Sequence, residues 1–271
     1  MAKILVVTSG KGGVGKTTST AALGAALAQA GKNVVVVDFD VGLRNLDLVM
    51  GAERRVVYDL INVVQGDAKL AQALIRDKRV ETLSLLPASQ TRDKDALTDE
   101  GVSRVIDDLK EKFDWVICDS PAGIERGATL AMRHADIAIV VTNPEVSSVR
   151  DSDRIIGLLD SKTLLAEKGE RVQKHLLLTR FDPARAGRGE MLNVEDVLEI
   201  LSIPLLGIIP ESTEVLRASN LGSPVTLNNP LCAPARAYFD AAKRLNGEAL
   251  EMVIPSDRKG LFGKIFGRRA A

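Results

Sequence analysis

The chain has 271 residues, 45% hydrophobic and 27% charged, a globular composition that excludes a mostly disordered polymer and suits one large α/β domain with short appendages. Bases and acids balance at 36 each, so no global field draws the molecule onto nucleic acid or lipid. The balance hides a segregation: residues 258–271 carry five bases and no acid, which leaves −5 on residues 1–257.

Aromatic residues are only nine, so the core has to be aliphatic, and two cysteines are too few for a disulfide framework, which points to a reducing cytosol. The opening MAKILVVTSG leaves no room for a signal-peptide apolar region, and no window approaches 18 uninterrupted apolar residues. No membrane span is expected.

Short Val- and Ile-rich runs alternate with segments of helical period. Strands are expected at 4–7, 34–37, 83–86, 116–118, 137–141, 176–178 and 205–209, and helices at 17–30, 100–112, 147–160, 194–201 and 233–244. Strands apolar on both faces belong to a mostly parallel sheet covered on both sides, the doubly wound α/β layout. Residues 1–250 read as one domain, and residues 251–271 as a linker and tail.

Directly after the first strand stands Gly10-Lys11-Gly12-Gly13-Val14-Gly15-Lys16-Thr17, the phosphate-loop spacing G-x-x-x-x-G-K-[ST], running into a helix together with Thr18. The glycines let backbone N–H groups turn toward phosphates at the positive end of the new helix. Lys16 reaches the β and γ phosphates and Thr17 ligates magnesium. Lys11 is a second cation that a plain phosphate loop does not need.

The second strand ends in Asp38-Phe39-Asp40, which puts carboxylates at the carboxyl edge where open α/β sheets bind ligands. Asp40 is the candidate for orienting an attacking water. Asp38 and Asp40 alternatively hold magnesium through water or cap the following turn. The 116–118 strand ends at Asp119-Ser120-Pro121-Ala122-Gly123, a Walker B arrangement in which Asp119 contacts magnesium directly or through water. No N-K-x-D string reads guanine, and the late strands end in Thr179-Arg180 and Pro210-Glu211, so adenine is the expected base.

The tail reads R-K-G-L-F-G-K-I-F-G-R-R from Arg258. At 100° per residue Leu261, Phe262, Ile265 and Phe266 fall within about 140° of one face, with Lys264 at the opposite flank. This is the composition of an interfacial helix drawn to anionic lipid. Gly260, Gly263 and Gly267 each cost on the order of 1 kcal/mol of helix propensity, so one copy is expected to bind weakly and two copies in a dimer strongly.

The K-G-G-V-G-K-T-T run, D-F-D-V-G-L-R-N-L-D (38–47), S-Q-T-R-D-K-D-A-L (89–97), C-D-S-P-A-G-I-E (118–125) and T-N-P-E-V-S-S-V-R-D-S-D-R (142–154) together resemble the MinD branch of the deviant Walker A ATPases, across essentially the whole chain. That resemblance implies an ATP-dependent homodimer in which Lys11 reaches the partner's nucleotide, with Lys11, Lys16 and Asp40 catalytic and ATP and Mg2+ as cofactors. It implies that Arg180 contacts the base and that the loop of Pro210 and Glu211 closes its other side. It further implies reversible attachment to the cytoplasmic face of the inner membrane, recruitment of the septation inhibitor MinC, stimulation by MinE, and a partner surface that includes Asp151 and Asp153. A DNA-segregating ATPase of the ParA type is the rival. The negative body and the aromatic tail favour lipid over DNA as the primary partner.

Overall fold

A computed structural model describes residues 2–90 and 96–255. Among the described residues eight strands are formed: β1 (Lys3–Thr8), β2 (Val34–Asp38), β3 (Ile75–Arg76), β4 (Leu83–Leu86), β5 (Trp115–Asp119), β6 (Ile137–Thr142), β7 (Gln173–Phe181) and β8 (Leu205–Pro210). They make one sheet in the order β3-β4-β2-β5-β1-β6-β7-β8, and every pairing is parallel except β3 with β4. The seven expected strands are present. The eighth, β3, is a two-residue antiparallel edge that no periodicity announces.

Burial on both faces accounts for the unbroken apolar runs. Ile4, Val6, Val35 and Val37 point into one core, and Leu5, Val7, Val34 and Val36 into the other. Helices Asp99–Lys110, Arg126–Arg133, Val146–Leu159 and Val194–Leu201 supply buried side chains to the first. Helix α1 (Lys16–Gln29) and helix Ala233–Leu245 cover the second. An added Cβ at Gly24 of α1 would stand 2.7 Å from Val36 Cγ1, so α1 rides close on the sheet.

The strand order reverses at β1, which lies between β5 and β6. Open α/β sheets place ligands in the crevice outside the carboxyl ends at such a switch point. The amino edge is closed differently: Asp114 accepts the Asn33 N–H at 2.8 Å and Asp136 accepts the Ile4 N–H at 2.9 Å. At the same edge the Arg244 guanidinium donates to the carbonyls of Leu206, Leu250 and Glu251 at 3.0, 3.2 and 2.8 Å. Among the described residues no helix is long and apolar enough to cross a membrane.

Candidate nucleotide site

The loop from Gly10 to Thr17 leaves β1 at the switch point and enters α1. Gly13 and Gly15 adopt φ of 77° and 96°, the left-handed region that glycine enters at no steric cost. Gly15 caps α1 without any side-chain bond, so the first-turn N–H groups face the loop, the arrangement that receives anions. Gly10 is needed for another reason. A Cβ there would come within 2.2 Å of the Asp151 carbonyl oxygen, because the loop lies directly on helix Val146–Leu159.

Lys16 is buried, and its Nζ donates to Ser9 Oγ at 2.9 Å. Burial lowers its pKa even though Asp119 and Asp40 pull it upward. Across from it Asp119 accepts Thr20 Oγ1 at 3.0 Å and is bonded by Thr17, yet burial raises its pKa to about 6. For both partners desolvation outweighs their mutual attraction, so each is biased toward its neutral form.

Asp38 stands beside Asp119 in the β2–β5 register. It is fully buried and accepts the N–H groups of Asp40 at 2.8 Å and Leu46 at 3.2 Å, so it caps the turn. Burial, and then the neighbouring Asp119 carboxylate, hold its pKa well above the usual value. Asp40, half-buried on the same edge, is close enough to influence Lys16, Asp38 and Asp119. A hydroxyl from Thr17 and carboxylate oxygens from Asp119 and its neighbours form a hard-oxygen donor set, which fits magnesium accompanying phosphate oxygens.

Lys11 lies on the rim with its side chain 42% exposed, donating to Glu145 Oε2 at 3.0 Å and Ser147 Oγ at 3.1 Å. Asn143 Nδ2 donates to the other oxygen of Glu145 at 2.7 Å. Within this one chain the two lysines of the loop therefore separate, Lys16 inward and Lys11 outward. Asp153 is exposed, whereas Asp151 is half-buried and its backbone supports Gly10. The two acids foreseen as one surface thus have different surroundings.

A cavity of about 400 Å³ opens beside the loop, lined by Val14, Gly15, Thr18, Arg180, Pro210 and Glu211 among others. Arg180 holds φ at 54°, a strained position for a side-chain-bearing residue, at the irregularity of β7 between Leu178 and Phe181. The cavity floor includes Tyr238, whose hydroxyl bonds Ser19 at 2.9 Å and whose pKa burial pushes up to about 12. Tyr238 and Ser9 carry no local motif signal that marks them for this site, whereas Glu145 and Ser147 lie in the 142–154 run without any sign there of their contact with Lys11. The residues foreseen for the tail, Leu261, Phe262, Lys264, Ile265 and Phe266, lie outside the described residues.

A doubly wound sheet with a glycine-rich loop, a buried lysine and acids at its carboxyl edge defines a phosphate-loop nucleoside triphosphatase. The CobQ/CobB/MinD/ParA nucleotide binding domain matches residues 5–225. The chain is 62% identical over 270 residues to septum site-determining protein MinD of Escherichia coli strain K12, covering 98% of this chain and 100% of that protein. It superposes on the MinC:MinD cell division protein complex of Aquifex aeolicus with TM-score 0.83 and 42% identity, covering 93% of this chain and 99% of that one. MinD complexed with Mg-ADP from Pyrococcus horikoshii gives TM-score 0.79 and 33% identity over 91% of this chain and 96% of that one. The chain belongs to the MinD family of ATPases.

Proposed function

We propose that this ATPase is a nucleotide-gated switch that binds ATP with Mg2+, dimerises, attaches to the cytoplasmic face of the inner membrane and recruits a MinC-type septation inhibitor, with a MinE-type partner stimulating hydrolysis. The placement of the two lysines carries the proposal. Lys16 is committed to the phosphates within its own chain, while Lys11 stands on the rim, the place for a cation that serves a second chain. Magnesium, when bound, would neutralise phosphate charge, and Thr17 and Asp119, the latter directly or through water, are the residues that would hold it.

Asp40 orients the attacking water; its task is positioning more than proton abstraction. Arg180, Pro210 and Glu211 receive the base in the cavity beside the loop. Residues 1–250 form the ATPase domain, and residues 251–271 supply a linker and a basic amphipathic membrane tail. The relative in the MinC:MinD complex supports a MinC-type partner. A body charge of −5 and a tail with two Phe among five bases support lipid over DNA.

Sedimentation with vesicles containing anionic lipid tests this in one measurement. The full chain should pellet with a slowly hydrolysed ATP analogue and stay in the supernatant with ADP, and a chain ending at residue 257 should stay in solution with both. Equal pelleting in ADP and the analogue would overturn the switch, and pelleting of the truncated chain would move the membrane site elsewhere.

A further inference from the structure

Two hydroxyls outside the phosphate-loop motif hold the outer side of that loop. Ser9 Oγ, 1% exposed at the end of β1, donates to the Lys11 carbonyl at 2.7 Å while accepting from Lys16 Nζ. Thr179 Oγ1, 4% exposed on β7, donates to the Val14 carbonyl at 2.7 Å, with the Thr142 carbonyl a longer second acceptor at 3.2 Å. A trans peptide is planar, with its C=O and its N–H pointing opposite ways. Fixing the Lys11 carbonyl therefore fixes the Gly12 N–H, and fixing the Val14 carbonyl fixes the Gly15 N–H.

We propose that Ser9 and Thr179 are positioning residues of the nucleotide site, holding two loop carbonyls outward so that the N–H groups of Gly12 and Gly15 face the phosphates before nucleotide arrives. Glycine makes such pins useful. Gly12, Gly13 and Gly15 give the loop the freedom to form an anion cradle and equal freedom to leave it, and ordering them on binding costs conformational entropy. The two hydroxyls meet that cost during folding. They come from opposite flanks, Ser9 from the strand that enters the loop and Thr179 from the strand that ends at the base cavity, so the second pin also ties phosphate and base recognition together.

The inference rests on the nucleotide-binding function alone and is tested without membrane, partner or dimer. The affinity of the full-length chain for Mg-ADP would be measured with a fluorescent ADP analogue for Ser9→Ala, Thr179→Val and the double variant, beside Ser9→Thr and Thr179→Ser. Each deletion should weaken ADP about fivefold, the size of one hydrogen bond, and the double by about 25-fold. The hydroxyl-retaining variants should stay within about twofold of the unaltered chain. A double variant that binds ADP as the unaltered chain does would overturn the proposal. A Ser9→Ala loss of ADP affinity that disappears in a Lys16→Ala background would assign its effect to the Lys16 contact and likewise overturn it. If Thr179→Val fails to fold, the Ser9→Ala and Ser9→Thr pair decides by the same criterion.

Discussion

The two edges of the sheet use the same residue types for opposite ends. At the amino edge Asp114 and Asp136 each accept one backbone N–H and close a strand start. At the carboxyl edge Asp38 and Asp119 stand side by side, buried, with burial raising both pKa values, next to a lysine whose pKa burial lowers. An acid that satisfies an N–H at the periphery stabilises the fold. An acid held in the crevice beside other acids weakens the fold by its desolvation, and a cation carried in with phosphate would compensate it, so charge density separates the functional edge from the structural one.

Removing the charge at the centre of the functional edge should have the largest effect. Lys16→Ala should weaken Mg-ATP by 100-fold or more, on the order expected when a phosphate loses a buried cation, and nucleotide titration would read it. Undiminished binding would show that Lys16 rests on Ser9 without serving the phosphates. Asp40→Ala should bind ATP but lower turnover ~100-fold, which single-turnover phosphate release would measure. Near-normal release would take Asp40 out of the mechanism.

Asp119 sharpens the comparison through pH. Its folded pKa of about 6 lies above its unfolded one, so its favourable contribution is complete at low pH and is lost as pH rises through the folded value. Nucleotide-free Asp119→Asn should therefore gain ~1–3 kcal/mol relative to the unaltered chain between pH 4.5 and 7.5 in denaturant unfolding, while losing hydrolysis. Parallel pH profiles would mean that the carboxylate is better solvated than its burial implies. The smallest effect belongs to the amino edge. Asp136→Ala leaves the Ile4 N–H without its acceptor and should cost about 1–2 kcal/mol of stability with turnover unchanged.

Much of this contrast is legible in the chain before it folds. The run of 83–86 is β4 residue for residue, the 194–201 period is a helix with those bounds, and the phosphate loop, Asp119 and the Arg180 and Pro210 turns all gather at one edge. Periodicity reports what a segment buries, so it finds long elements well. It misses β3, where one residue is buried and the next exposed over only two positions, and helix Thr213–Asn220, which buries Ala218 alone and so shows no apolar stripe. Partners distant in sequence are equally silent: Tyr238 meets Ser19 across 219 positions, and Thr179 meets Val14 across 165. Lys11 shows the reverse limit, since its motif names it while only the fold brings it to Glu145.

The Arg244 contacts have a mechanical consequence. Glu248 to Pro255 follow the last helix, and one guanidinium joins the backbone at Leu250 and Glu251 to Leu206 in β8. A pull applied at Pro255 reaches Leu250 and Glu251 first, and their bonds pass it through Arg244 both to the last turn of helix Ala233–Leu245 and to Leu206 of β8. The load is divided between that turn and the sheet, so β8 backs the end of the helix against tension on the C-terminal segment. The described body can thus be tugged from that end while Tyr238, two turns further along the same helix, keeps its place on the floor of the base cavity.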